Sequence, residues 1–385
     1  MIEAESHARL KRDIAERIAA DRGLLDQLRE EIRPLRNTVR RIHARTTTSI
    51  SLVGTDGGNN RIQFDPFLIQ LIRVVDSSNN EYCLEAIAPT TSVATLSARQ
   101  FDGDGIPQSP LGAMMQYLDV RELSDLSQMI RSNEGGHPTS DSWVQVYREL
   151  MEWATLFQIV RTESFGTDTV IIFDGLLRSV VFAKNLFKRC LQGIAEGIAR
   201  HRESRRKIHL VGVAKHSKVL SRYRLAMLLE HVLTTDYPAY VEISQDIEDK
   251  VYIWSEYVRG DDRDREQGLR DGAAIDTFVG GKMFFVKFGK SPRDPIWPVD
   301  IFLPQVGDAP AILGSMLADA EAGFPIPMYP RCLQKAHENA ALVDFDFAIL
   351  QHEIIAGIRA MLGNEARAFD AFRLQDHDPA LGRYE

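Results

Sequence analysis

Residues 169–175 read Thr169-Val170-Ile171-Ile172-Phe173-Asp174-Gly175. An apolar, β-branched run halted by Asp-Gly predicts a short buried strand ending in a turn. Its flanks have another period. Upstream, Trp143, Val146, Tyr147, Leu150, Ala154, Phe157 and Val160 line one side of a helix over Ser142–Arg161. Downstream, Leu176–Arg202 reads as helix, Lys207–Val213 as a second short strand, and Leu220–Leu233 as helix again. Buried strands alternating with helices predict an α/β fold.

Toward the N-terminus, Thr48–Gly54 predicts a strand running into the turn Thr55-Asp56-Gly57-Gly58. Arg61–Val75 and Glu81–Ala88 follow as strands joined by the polar turn 76–80. Short connections of this kind imply antiparallel pairing, so the sheet is expected to be mixed and flanked by helices. Ile14, Ile18, Leu25, Leu28, Ile32, Leu35, Val39 and Ile42 give residues 1–47 a helical period, interrupted at Gly23 and Pro34. This arm either packs on its own domain or reaches a partner. A helix is expected over Gly112–Arg131. Toward the C-terminus, Val251–Tyr257, Met283–Phe288 and Val299–Leu303 read as strands and Asp261–Asp271 as a charged loop. A helical region opens at Pro327–Pro330 and runs through Ala341 toward Gly363. The organisation expected is a helical arm (1–47), one elaborated α/β domain (48–363) and a polar tail (364–385).

The chain has 385 residues, 44% of them hydrophobic and 26% charged. That is ample for a real core and unlike a disordered or disulfide-stapled chain. No apolar run is long enough to span a bilayer, and the N-terminus lacks the pattern of a secretory signal. Cys83, Cys190 and Cys332 are widely spaced without a CxxC, which argues against a zinc site and fits a reducing cytoplasm. The net charge of −8 excludes a globally basic protein. The charge is nevertheless uneven. Gly175–Arg224 holds thirteen Lys and Arg against two acids, a local charge of +11 that leaves −19 elsewhere. An anionic partner at one place on an acidic body is the reading.

Two acids share a context. Asp56 and Asp174 each follow an apolar run and precede a glycine, which is either a common turn or a carboxylate held at the sheet rim, where α/β folds place ligands. Two or three such carboxylates would suit Mg²⁺ or Mn²⁺, and paired ions of this kind support phosphodiester hydrolysis. A third carboxylate is expected from the Ser142 helix. Glu152, between Met151 and Trp153, is favoured over Glu149, which adjoins Arg148 and reads as a solvated ion pair. Lys215, with His216 and Ser217, follows the second strand and could contact a phosphate. Lys218, Arg222 and Arg224 could track a nucleic-acid backbone, or simply form a solvated helix start. In Pro325–His337, Tyr329 and His337 flank a helix start, and His337 could bind metal, move a proton or be structural. GxGxxG, GxxxxGK[ST], GxSxG and HExxH are all absent, so the chain is not read as an ATPase in its own right.

In this order the segments resemble the NurA family of DNA-end-processing nucleases. The carriers are Leu52–Gly57, Met151-Glu152-Trp153, Val170–Leu177, Val211–Ser217 and Pro327–His337, the last similar to a YPxxLxxAH segment. Leu176 replaces a usual small hydroxyl residue, and Ala214 a common serine. The resemblance implies an RNase H-like core and a Mn²⁺ site, with Mg²⁺ as the substitute and two ions expected. Asp56, Glu152, Asp174 and His337 would hold metal, with Tyr329 and Lys215 completing the catalytic set. Lys215, Ser217, Lys218 and Arg222 would meet DNA. It further implies a homodimer docked on a hexameric HerA-type DNA-translocating ATPase, acting in double-strand-break resection or phage defence. The expected activity is 5′-to-3′ exonuclease with single-strand endonuclease. The rival reading is a non-catalytic adaptor that guides DNA or regulates the ATPase.

Overall fold

The computed structural model describes residues 4–45, 50–64, 67–88, 90–131, 142–252, 277–341 and 344–367, with the backbone alone at 4, 50–64, 67–68 and 344–348. In chain order, the first part comprises α1 (Ala4–Ala20), α2 (Arg22–Ile32), β1 (Arg40–Arg41), β2 (Ile50–Phe64), β3 (Phe67–Asp76), β4 (Glu81–Ile87), α3 (Val93–Arg99), α4 (Pro110–Leu118), α5 (Leu123–Leu126) and α6 (Trp143–Thr162). Then follow β5 (Asp168–Asp174), α7 (Leu186–Glu203), β6 (Ile208–Val213), α8 (Lys218–Leu229), β7 (Ala239–Glu242), α9 (Gln245–Asp249), β8 (Gly281–Lys287), β9 (Trp297–Phe302), α10 (Ala309–Glu321), α11 (Arg331–Ala340) and α12 (Asp344–Leu362).

Among the described residues the strands form one nine-stranded sheet, in the order β1-β7-β8-β9-β6-β5-β2-β3-β4. The centre is parallel: β2 pairs with β5, and β5 with β6. Both wings are antiparallel, a meander of β2, β3 and β4 on one side and β9, β8, β7 and β1 on the other. The expected mixed sheet flanked by helices is therefore present.

The central strands are buried on both faces, as their unbroken apolar sequence requires. Along β5, Ile171 and Phe173 enter the core beneath α6 and α7, whereas Val170 and Ile172 enter the core beneath α10 and α11. By the same two-residue period Asp174 belongs to the α10–α11 face. Helix α6 is apolar nearly all round and largely buried, so its two interior acids stand out against it. On the far wing, α2 packs against α8 around Ile32, Leu35, Val219 and Tyr223.

Several expected boundaries move. Thr55–Gly58 is not a turn: β2 runs unbroken through it, because pairing with β3 continues on its open side after β5 ends. The reading of Arg61–Val75 as one strand covers parts of β2 and β3. Leu176–Asn185 is not helix, and α7 starts at Leu186. The single helix expected over Gly112–Arg131 is two shorter ones, α4 and α5, since Asp119 adopts a left-handed φ of 58° that closes α4. Val251 and Tyr252 are not in a strand, and the rest of that segment, with the loop Asp261–Asp271, lies outside the described residues. The sequence reading missed α3, β7, α9 and α10. On α1, Leu10, Ile14 and Ile18 are exposed, so its apolar stripe does not pack on the domain. Among the described residues no helix is long and apolar enough to cross a membrane.

Candidate active site

Asp174 is the last residue of β5 and faces the segment that leads into α11. Tyr329 Oη donates a 3.1 Å hydrogen bond to Asp174 Oδ1. Lys215 Nζ lies 3.6 Å from Asp174 Oδ2 and 5.8 Å above the Tyr329 ring. Tyr329 is fully buried against Trp297, ring centroids 4.8 Å apart. The carboxylate thus has a rigid neutral donor on one oxygen and a partly exposed cation beside the other. Gly175 follows with φ +146°, a conformation side-chain-bearing residues rarely adopt, which explains the glycine after the acid.

The chain then turns back over β6. A Cβ on Gly212 would fall 2.4 Å from the Gly175 carbonyl oxygen, so only glycine admits this path. Arg178 anchors the loop. Its guanidinium donates bidentately to Asp300, at 2.7 and 2.9 Å, and also bonds Glu248. Asp300 is wholly buried and Glu248 nearly so. The backbone is stitched alongside, with Gly280 N to Leu177 O at 2.7 Å and Ser179 N to Phe278 O at 3.0 Å. The anchored loop presents Ser179, whose hydroxyl donates a 2.6 Å hydrogen bond to Glu149 Oε1.

Asp174, Glu149, Glu152, Arg178, Ser179 and His216 border one cleft of about 640 Å³ at the carboxyl ends of β5 and β6. The two α6 acids have different neighbours. Arg148 lies 3.6 Å from Glu152, one helical turn away. Glu149 faces Ser179 instead, and burial pushes its carboxyl above the ordinary carboxylate range. Glu152 is 13% exposed, so both acids border the cleft and neither is a solvated surface residue.

The other expected residues divide. Asp56 lies in β2, where Thr55 pairs with Phe173 and Asp56 with Val75. This register sets its backbone beside Asp174; its side chain is outside the described residues. His337 is exposed on α11, a helix packed across β2. Ser217 caps α8: its buried Oγ accepts from Leu220 N at 2.9 Å and closes the first turn of the helix. Lys218 and Arg222 are exposed on that helix. Sequence reasoning missed Arg178, Ser179, Glu248 and Asp300. The signal for Asp300 was present, because an acid inside Pro298-Val299-Asp300-Ile301-Phe302 would be buried and needs a partner.

The donor chemistry of the cleft suits Mn²⁺ or Mg²⁺, since Asp174, Glu149 and Glu152 offer only carboxylate oxygens. Among the described residues no three His, Cys, Asp or Glu side chains are grouped closely enough to hold an ion. Asp174 lies on the α10–α11 face of the sheet and α6 covers the other.

No protein-family model matches the chain, and no curated protein matches it in sequence. Among solved structures it is similar to the crystal structure of the NurA nuclease from Sulfolobus solfataricus, with 12% identity and a TM-score of 0.42, over 95% of this chain and 98% of that one. A second NurA crystal structure is 13% identical with a TM-score of 0.46, over 95% and 99%. A third, described as NurA with manganese, is 13% identical with a TM-score of 0.42, over 90% and 97%.

Proposed function

We propose that this chain is a divalent-metal-dependent DNA nuclease. The observation that carries the reading is the meeting of Asp174, Glu149 and Glu152 at one cleft, at the carboxyl ends of parallel strands, with Lys215 against the Asp174 carboxylate. Three carboxylates at the cleft, with a flexible cation beside one of them, match a phosphodiester better than an uncharged substrate. The ordered motifs from Leu52 to His337 support the same reading. The meander β2-β3-β4 continued by parallel β5 and β6 supports an RNase H-like core.

Asp56, Asp174 and an α6 acid, with His337, would hold the ions, Mn²⁺ or Mg²⁺ and two in number. When bound, they supply Lewis-acid polarisation of the scissile phosphate and activation of the attacking water. Tyr329 fixes the Asp174 carboxylate by its hydrogen bond. Lys215 leaves Asp174 to meet a phosphate oxygen, and Lys218 and Arg222 hold the strand beyond it. Glu149, protonated more readily than an ordinary carboxyl, can give a proton to an oxygen in the cleft. By resemblance, the activity is 5′-to-3′ exonuclease with single-strand endonuclease. The chain works as a homodimer beneath a HerA-type hexameric ATPase in end resection or phage defence, and the exposed Leu10, Ile14 and Ile18 of α1 offer a face for such assembly.

The adaptor reading has one observation in its favour. The Asp174 carboxylate already has two protein partners, Lys215 and Tyr329.

The deciding experiment is cleavage of end-labelled linear DNA, single- and double-stranded, with Mn²⁺, Mg²⁺ or EDTA. It is run with and without a hexameric ATPase of the HerA type, beside Asp174→Asn. Metal-dependent products lost in the variant are expected. Cleavage that survives Asp174→Asn overturns the site, and DNA binding without cleavage in any condition selects the adaptor.

A further inference from the structure

The +11 segment does not lie at one place. Lys215, Lys218, Arg222 and Arg224 follow the carboxyl end of β6, beside Asp174. Arg200, Arg202, Arg205, Arg206 and Lys207 precede its amino end. Six residues of strand separate the two groups, or about 17–20 Å at roughly 3.3 Å per residue. The second group therefore lies at the end of the sheet away from the candidate active site and needs an explanation of its own.

Three of its cations, Arg202, Arg206 and Lys207, border a pocket of about 320 Å³ together with His209 and Asp308. The pocket lies between the end of α7, the start of β6 and the turn 303–308. Its floor is already satisfied: Gln305 accepts from Leu210 N at 2.8 Å and donates to Ile208 O at 2.7 Å. Two acids are nearby. Asp308 is 3.3 Å from His209 and 56% exposed, and Asp168 accepts from Lys207 N. Burial pushes the His209 imidazole below its usual range, so the positive charge at neutral pH belongs to Arg202, Arg206 and Lys207. Among the described residues none of those three forms an ion pair. The negative end of α7 accounts for cations in its last turn, Arg200 and Arg202, but not for Arg205, Arg206 and Lys207 beyond it.

We infer that this pocket is a second phosphate-binding site, which holds the backbone of a nucleic-acid strand away from the cleft. Five cations against one acid over eight residues spread wider than one small anion needs and match a run of phosphates. At 3.4 Å per nucleotide, a strand reaching from cleft to pocket needs at least about six nucleotides. The inference rests on the nucleic-acid reading above and extends it to a substrate that crosses the sheet from end to end.

The test is fluorescence polarisation with the full chain and a labelled single strand longer than the roughly 4–16 nucleotides that one small module covers. EDTA keeps the strand intact. Binding is followed across a salt series for wild type, Arg202→Glu/Arg206→Glu, the milder Arg202→Gln/Arg206→Gln, and Lys218→Glu/Arg222→Glu. The Arg202/Arg206 pair to Glu should weaken binding about tenfold and flatten the salt slope by about 1.4, for two phosphates released. The Gln pair should do the same to a smaller degree, and the losses at 202/206 and 218/222 should add in log Kd. Thermal melts establish that the variants fold, and the Gln pair decides if the Glu pair does not. Wild-type affinity and slope in the folded 202/206 variants overturn the second site and leave the nuclease proposal standing. A wild-type protein that binds no strand at all overturns both.

Discussion

Tyr329 and Asp174, 155 residues apart in the chain, are joined by a 3.1 Å hydrogen bond from the phenol to Oδ1. The bond crosses from the segment before α11 to the tip of β5. Tyr329 is fully buried against Trp297 and cannot follow a moving carboxylate. Removing the hydroxyl alone isolates its role. Tyr329→Phe should keep the fold and DNA affinity and lower cleavage by about 10- to 100-fold, the usual cost of losing a group that orients a ligand. Asp174→Asn should cost at least about 100-fold. Equal losses in the two variants would show that Tyr329 does more than hold Asp174.

The two acids of α6 are separable by pH. Burial raises the Glu149 carboxyl, so the folded state holds a proton that the unfolded chain has released above about 4.5. Stability from this group is present below that pH and declines as pH rises through the raised value. Glu149→Gln keeps an acceptor for Ser179 and removes the charge. Its Tm should exceed that of wild type at pH 8, and the gain should vanish at pH 4. Glu152→Gln should show no gain at pH 8, because it removes the carboxylate that lies 3.6 Å from Arg148. A Glu149→Gln protein less stable than wild type at pH 8 would show that the charged form is held by something further in the cleft.

The centre of the fold was legible because its signals are local. The runs Val170–Phe173 and Ile208–Val213 are short, apolar and bounded, and both became strands. Asp56 misled because a Thr-Asp-Gly-Gly sequence carries a turn signal that long-range pairing with β3 overrides. Leu176–Asn185 misled because its apolar residues serve a loop folded on β6 and β8, which no helical period reports. In the candidate site, Asp174, Lys215 and Tyr329 came together as motif order implied. The partners of Glu149 and Arg178 did not emerge, since Ser179, Glu248 and Asp300 meet them only through tertiary packing. The split of the basic segment was equally invisible, as a charge count has no direction until β6 gives it two ends.

Glu230 ties the N-terminal helices to the domain. Arg29 and Arg33 donate to its carboxylate at 2.7 and 2.8 Å, from α2 and the turn after it, to the end of α8. The hydrogen bonds from Arg33 and then Arg29 hold the carboxyl at about 2. A depressed value means that this stability is complete above the unfolded pKa, near 4.5, and is lost as pH falls toward 2. Glu230→Gln should therefore release α2 to limited proteolysis at pH 7 while in wild type that helix stays protected. The two proteins should become alike below about pH 2. Equal protection at pH 7 would mean that the apolar contacts of Ile32 and Leu35 suffice alone.

Arg178 is the strongest structural commitment beside the cleft, with one cation shared by two carboxylates that are almost wholly buried. Arg178→Met leaves Asp300 and Glu248 without their partner, which should cost about 3–5 kcal/mol. The sign of its pH dependence follows. Burial already raises the Glu248 carboxyl, and Arg178 is the main force lowering it. Without Arg178 the folded state favours a protonated Glu248 still more, so the variant's deficit should shrink as pH falls toward 5. Arg178→Lys should recover little, because an ammonium cannot reproduce the bidentate fork on Asp300. The loop carrying Ser179 hangs on this cluster, so loosening it should also free Glu149 and reshape the pH profile of cleavage, beyond lowering its height. Denaturant titrations at pH 5 and pH 8, with a pH–rate profile for Arg178→Lys, test the chain of cause. A deficit independent of pH would mean that the buried carboxylates find other partners, and an unchanged profile that Ser179 is held by its backbone bond to Phe278 alone.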